Sequence, residues 1–81
     1  MSKNISSDNN NYIVATIRPW NIKQFFLKTK NLPGNWFLID DPLKLSIEEI
    51  NLINPRYIFF PHWNEIISEE IIENYECVCF H

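Results

Sequence analysis

The sequence predicts an α/β fold: a Rossmann-like three-layer sandwich whose partial parallel sheet has four strands, in the order 2-1-3-4, with three helices. Strand-like apolar runs alternate with helix-like runs along the chain, and that alternation builds a parallel sheet with helices on its faces. The strand runs are continuously apolar, as strands covered on both sides are. Right-handed crossovers then leave few arrangements. The order 2-1-3-4 sets a switch point between the first and third strands, where open sheets of this kind bind ligands at the strands' carboxyl ends.

The elements follow in order. Residues 1–11, Met-Ser-Lys-Asn-Ile-Ser-Ser-Asp-Asn-Asn-Asn, are polar and read as a flexible N-terminal arm, so the domain is expected over 12–81. Tyr12-Ile-Val-Ala-Thr-Ile17 is β-branched and stops at Arg18-Pro19, a buried first strand. Asn21 is expected to cap a helix that turns Ile22, Phe25 and Phe26 inward and its lysines outward. The only glycine closes Leu32-Pro-Gly34 before the second strand, Trp36-Phe-Leu-Ile39, in which Trp36 is expected to join the core. Asp40-Asp41-Pro42 reads as a solvated turn in which Asp bonds locally. Ser46-Ile-Glu-Glu49 is a capping box: the Ser46 hydroxyl accepts from the backbone while Glu49 reaches back, with Leu45 and Ile50 as the apolar staple. Ile47, Ile50 and Ile53 face inward, and Asn54-Pro55 ends that helix. Tyr57-Ile-Phe-Phe60 is the third strand and Pro61-His-Trp-Asn64 a loop. Ser68 caps a short third helix, with Glu69 and Glu70 against its dipole and Ile67 and Ile72 as a second staple. Cys77-Val-Cys-Phe80 is the fourth strand, and His81 follows it.

Composition excludes several function classes. With 46% hydrophobic and 15% aromatic residues, the 81-residue chain forms a core. The net charge is −3 and the seven basic residues are scattered, which is not the clustered patch that DNA or RNA binding needs. Apolar runs are far too short to span a membrane, and the N-terminal residues lack a signal peptide's apolar stretch. A cytoplasmic location with both cysteines reduced is the expectation. One glycine makes neither a Gly-x-Gly-x-x-Gly fingerprint nor a Walker loop.

The residues that remain are few. His62, Cys77, Cys79 and His81 are the atom types zinc prefers, yet same-face strand residues lie about 6.6 Å apart, too far for two thiolates each at roughly 2.3 Å from one ion. No metal is expected, and both cysteines read as buried and structural. Arg18, Pro19, Trp20 and Asn21 follow strand one, and His62, Trp63 and Asn64 follow strand three, so both groups fall at the ligand end of the sheet. Trp20 and Trp63 either stack on a flat ligand ring or close the top of the core. Taken alone, His62 reads as a loop histidine bonded to backbone.

From Tyr57 onward the run Tyr57-Ile-Phe-Phe-Pro-His-Trp-Asn-Glu-Ile-Ile-Ser-Glu-Glu-Ile-Ile72, then Cys77-Val-Cys-Phe-His81, resembles the 10-formyltetrahydrofolate-dependent formyltransferases, the family of the methionyl-tRNA and sugar N-formyltransferases. In that family a hydrophobic strand, a loop and a helix lead to a strand ending Asn-x-His. The resemblance spans residues 12–81 and only the N-terminal part of such an enzyme. It implies that His81 is the catalytic histidine, that His62, Trp63 and Asn64 lie on the cofactor side, and that 10-formyltetrahydrofolate is the formyl donor. The implied acceptor is a sugar-nucleotide amine or other small amine, or methionyl-tRNA. Imidazole suits the chemistry, because it donates or accepts a proton near neutral pH. Cys79 departs from the pattern where better-known members carry asparagine, and a thiol is a poor donor to a developing oxyanion. The family's catalytic aspartate falls beyond residue 81, so the 81-residue chain is expected to be inactive by itself and to self-associate through the edge of strand four. The rival expectation is a small non-catalytic α/β interaction module.

Overall fold

A computed structural model describes residues 10–80. Residues 1–9 of the expected arm, and His81, lie outside the described residues. The elements are β1 (Asn11–Ala15), α1 (Pro19–Thr29), β2 (Asn35–Ile39), a 3₁₀ turn (Pro42–Lys44), α2 (Ile47–Ile53), β3 (Tyr57–Pro61), α3 (Glu69–Asn74) and β4 (Glu76–Phe80). The four strands are parallel in the order β2-β1-β3-β4, as the alternation of elements predicts. Asn11, expected in the arm, instead opens β1, pairing with Asn35 and donating its side-chain amide to the Ile53 carbonyl at 2.7 Å.

Strand periodicity sorts the side chains onto two faces. Ile13 and Ala15 of β1, Ile39 of β2, and Ile58 and Phe60 of β3 share one face, where they pack with Ile50 of α2, Ile71 of α3 and Trp63 as the main core. The register Tyr12↔Trp36 and Val14↔Phe59 sends the alternate positions to the opposite face, which α1 covers through Phe25. There Trp36 stacks on Tyr12 at 4.8 Å and on Phe59 at 6.0 Å, and Tyr57 extends the row. Trp36 therefore lies outside the main core, half-buried in an aromatic row, because the period of two carries it to the other side from Ile39.

The helix ends show where local chemistry decides and where it is overridden. Ser46 Oγ accepts from Glu49 N–H at 3.2 Å, and Ser68 Oγ from Ile71 N–H at 3.4 Å, so both serines cap as expected. Among the described residues Glu49 makes no return bond to Ser46, so only half of the capping box forms. Asn54 ends α2 in the left-handed conformation with φ 51°. Ser46→Ala is expected to lower the urea midpoint by the equivalent of about 1 kcal/mol, and an unchanged midpoint would count against the cap.

Four expectations fail. Asn21 is not a cap: Pro19 takes the first helical position, where its fixed φ and missing N–H fit, and Arg18 becomes the N-cap. The helix thus starts three residues earlier than expected, and of the adjacent pair it buries Phe25 and leaves Phe26 exposed. In α3 the buried residue is Ile71, while Ile72, expected in the staple, is 52% exposed. The cysteines also differ from expectation. Cys77 is half-buried and Cys79 exposed, because β4 lies at the sheet's edge.

Candidate functional site

The carboxyl ends of β1 and β3 are neighbours, and the loops leaving them meet. β1 is followed by Thr16, fully buried, whose N–H extends the sheet ladder to the Ile39 carbonyl at 2.9 Å. Its hydroxyl accepts from the Arg18 backbone N–H at 3.2 Å, a local bond that turns the chain into α1. That turn exposes Trp20 and sets Asn21 over the end of β3. The Asn21 amide nitrogen lies 3.2 Å from Thr16 Oγ1, 3.4 Å from the Pro61 carbonyl and 3.2 Å from His62 Nδ1.

His62 is exposed and holds φ 55°, an uncommon conformation for a residue with a side chain. It bonds to a side chain, Asn21, rather than to backbone as its sequence position suggested. Trp20 stands with its ring centroid 6.4 Å away, edge-on to the imidazole, and the Arg18 guanidinium lies 6.0 Å from the Trp20 ring centre. Trp63 takes the other of its two readings. Its ring is 8% exposed and packs edge-on against Phe60 at 5.7 Å, closing the top of the core. Its indole N–H has no partner among the described residues. Asn64 is exposed beyond it.

A shallow cavity of about 330 Å³ opens beside Asn21 between α1 and the sheet, with Val14, Phe25 and Pro61 as its apolar walls and Gln24 and Lys28 at its rim. The last residue of β4, Phe80, is in register with Pro61, immediately before His62, so the fourth strand runs to this same end of the sheet. His81, the expected catalytic residue, lies outside the described residues.

The sequence reading thus placed Arg18, Trp20, Asn21 and His62 at one end, and the structure brings them together. It missed the Asn21–His62 bond and the part of Thr16. The available signal was a threonine at the end of an otherwise apolar strand, five residues before an asparagine.

Asp40 and Asp41 form no paired-carboxylate site. Asp41 accepts from Leu43 N–H at 3.0 Å and caps the 3₁₀ turn, as the turn reading held. No three His, Cys, Asp or Glu side chains converge among the described residues. Burial pushes the Cys77 thiol up, with smaller contributions from the charges of Cys79 and Glu76, and the thiol donates weakly to the Tyr75 carbonyl at 3.6 Å. The folded chain holds this proton more tightly than the unfolded one. The associated stability is full below the unfolded thiol's range and is lost as pH rises through the folded one. Alkylation with N-ethylmaleimide is expected to label exposed Cys79 first and Cys77 only slowly, read by peptide mass spectrometry after partial labelling. Equal rates at the two thiols would contradict the burial of Cys77.

No helix among the described residues is long and apolar enough to cross a membrane. No family model and no curated protein matches the chain. Among solved structures it is similar to a methionyl-tRNA formyltransferase from Clostridium thermocellum, with 48% identity and a TM-score of 0.78, over 88% of this chain and 32% of that one. The match takes in the parallel sheet, its order and its helices, and identity of 48% goes well beyond a shared architecture. The chain therefore belongs to the formyltransferase family, of which it spans about a third of that relative's length (32%).

Proposed function

We propose that this chain supplies the β1–β4 part of an enzyme that moves a formyl group from 10-formyltetrahydrofolate to an amine. The amine is that of a sugar nucleotide or of methionyl-tRNA, and the enzyme works in the cytoplasm. The observation that carries the reading is the 48% identity to a methionyl-tRNA formyltransferase over 88% of the chain. The meeting of the β1 and β3 loops at the carboxyl end of the sheet supports it, since that is where folds of this kind hold their ligands. In the proposed reaction the amine nitrogen bonds to the formyl carbon, the bond from that carbon to N10 of the folate breaks, and the amine's proton passes to N10. His81, which follows β4 in the sequence, is assigned the acid–base and hydrogen-bonding role. His62, Trp63 and Asn64 are assigned to the cofactor side, Trp63 as the buried support of that loop.

A span of 32% of the relative leaves most of a formyltransferase outside these residues, so the 81-residue polypeptide is proposed to be inactive alone. The full product of the gene, assayed with 10-formyltetrahydrofolate and an amine acceptor, is expected to transfer formyl, and His81→Ala to lower kcat by about 10²–10⁴-fold. Enzyme-like turnover by the 81-residue polypeptide, or an unimpaired His81→Ala enzyme, would overturn the reading.

A second reading, a non-catalytic interaction module, is favoured by one observation. Trp20, Phe26 and Leu27 are all exposed on α1, above the half-buried aromatic row of the sheet. The formyltransferase reading explains the same surface as one the rest of the domain covers. Both edges of the sheet, β2 and β4, are unpaired among the described residues, so the 81-residue polypeptide is proposed to self-associate through β4. Light scattering that finds a stable monomer at high concentration would count against that association.

A further inference from the structure

The Asn21 side chain meets three groups at once, and one of them fixes its orientation. The Pro61 carbonyl oxygen only accepts, so the side-chain atom 3.4 Å from it must be the amide nitrogen; turning the amide over would set two acceptor oxygens against each other. His62 Nδ1, 3.2 Å from that same nitrogen, consequently faces a donor; the nitrogen has two hydrogens for its three neighbours, and the bond to the neutral ring forms when Nδ1 accepts one of them. A neutral imidazole that accepts at Nδ1 carries its proton on Nε2. That second nitrogen has no partner among the described residues, and the ring is exposed beside Trp20. Backbone geometry points the same way. His62 holds φ 55°, and left-handed residues of this kind concentrate at ligand-binding sites, where surrounding contacts sustain them.

We infer that Asn21 is a positioning residue for His62: it holds the ring in the Nε2–H tautomer and so makes the loop histidine a hydrogen-bond donor, presented at the carboxyl end of the sheet to an oxygen acceptor of a bound ligand. The Thr16 hydroxyl and the Pro61 carbonyl hold Asn21 in turn, which ties the donor to the ends of β1 and β3 rather than to a mobile loop. An oxygen acceptor is the chemical class such a site takes, and the exposed Trp20 ring beside it favours one carried on a flat ring system. Reduced folates carry carbonyl oxygens on their pterin and benzoyl groups. Assigning the donor to the folate rests on the formyltransferase reading above, whereas the tautomer stands on the geometry alone.

Two-bond ¹H–¹⁵N NMR of the ¹⁵N-labelled chain, at a pH where imidazole is neutral, reads the tautomer directly. There are two histidines, so the spectrum of His62→Gln assigns the remaining one. In the unsubstituted chain His62 is expected to show an unprotonated Nδ1 and a protonated Nε2. Asn21→Asp puts an acceptor where the donor was and is expected to invert that pattern. A protonated Nδ1 in the unsubstituted chain, which needs no variant to observe, overturns the inference. So does an Asn21→Asp chain that is folded by its amide spectrum and keeps the original tautomer.

5-Formyltetrahydrofolate, a stable formyl folate, then tests the ligand in the full gene product by calorimetry. Binding weaker by about tenfold in Asn21→Asp supports the donor's part in folate recognition. Equal binding by both proteins overturns that part. Binding by neither overturns the folate assignment and counts against the formyltransferase reading, while the tautomer result is unaffected.

Discussion

Phe60→Ala is expected to remove a large share of the folding stability of the 81-residue chain and to lower its urea midpoint sharply. Phe60 has no exposed surface, and it lies on β3, the strand that pairs with both β1 and β4. Its ring is one wall of the main core and the surface on which Trp63 closes the top, at 5.7 Å. Truncating a fully buried phenylalanine costs about 3–5 kcal/mol, through lost transfer energy and the cavity left behind. A chain of this length holds only about 4–12 kcal/mol in total, so the substitution removes a large share of it. Trp63 amplifies the effect because its support goes with the ring, and the loop carrying His62 is anchored through Trp63. Phe59→Ala provides the comparison. Phe59 is a neighbour on the opposite face, half-buried in the aromatic row, and its loss is expected to cost clearly less. Urea unfolding followed by circular dichroism distinguishes the two. Equal midpoints for the Phe60 and Phe59 variants would mean that the sheet has no dominant core face.

The contrast between those neighbours also shows what could be read from the residues and what could not. Strand identity, parallel pairing and the order 2-1-3-4 were legible, because continuously apolar runs separated by capped helices admit few right-handed arrangements. Ser46, Ser68 and Asn54 were legible because a cap depends on chemistry within one turn of the chain. The face on which an apolar residue lands was harder. Trp36 and Phe26 are large and apolar, and by size alone both belong in a core. Trp36 is carried away from Ile39's face by strand register, and Phe26 by the roughly 100° of helix turn between it and the buried Phe25; the start of α1 was hard to read as well. That start turned on two competing signals, a proline at 19 and an asparagine at 21, and the proline prevailed because a ring-fixed φ is met at no cost in the first turn.

The site was legible as a place rather than as a set of contacts. The switch point marked the ends of strands one and three, and Arg18, Trp20, Asn21 and His62 do gather there. No local rule joins Asn21 to His62 across 41 positions, because that bond exists only once β1 and β3 are paired. Trp20 and Trp63 looked alike as aromatics following strands, and the fold separated them into an exposed ring and a buried one. A tryptophan after a strand meets either fate according to which side of the sheet the loop turns toward, and that is a tertiary fact.

Gly34→Ala is the second substitution expected to have a large effect, for a reason independent of the core. Gly34 holds φ +100°, where a side chain is strained whatever space surrounds it. Space is lacking as well: a Cβ there would lie 2.8 Å from the Asn10 carbonyl oxygen and 2.8 Å from the Tyr12 ring. Neither neighbour yields easily. The Asn10 carbonyl accepts from Asn35 N–H at 2.8 Å, the bond that starts the β1–β2 ladder, and the Tyr12 ring is stacked on Trp36 at 4.8 Å. Relief therefore requires opening the first rung of the sheet or tilting the aromatic row. A loss of about 2–3 kcal/mol is expected from the backbone conformation and the displaced carbonyl together. Tyr12→Ala in the same chain separates the two sources. If backbone strain and the Asn10 carbonyl dominate, the two substitutions add within about 0.5 kcal/mol. If the ring is the obstacle, removing it rescues much of the Gly34→Ala loss, and the account given for this turn fails. The prediction concerns an edge of the sheet far from His62, so the His62 tautomer is expected to survive in any Gly34→Ala chain that remains folded. A tautomer that changed with Gly34 would show that the carboxyl-end site depends on how β2 is seated, and not only on the Thr16–Asn21–Pro61 corner.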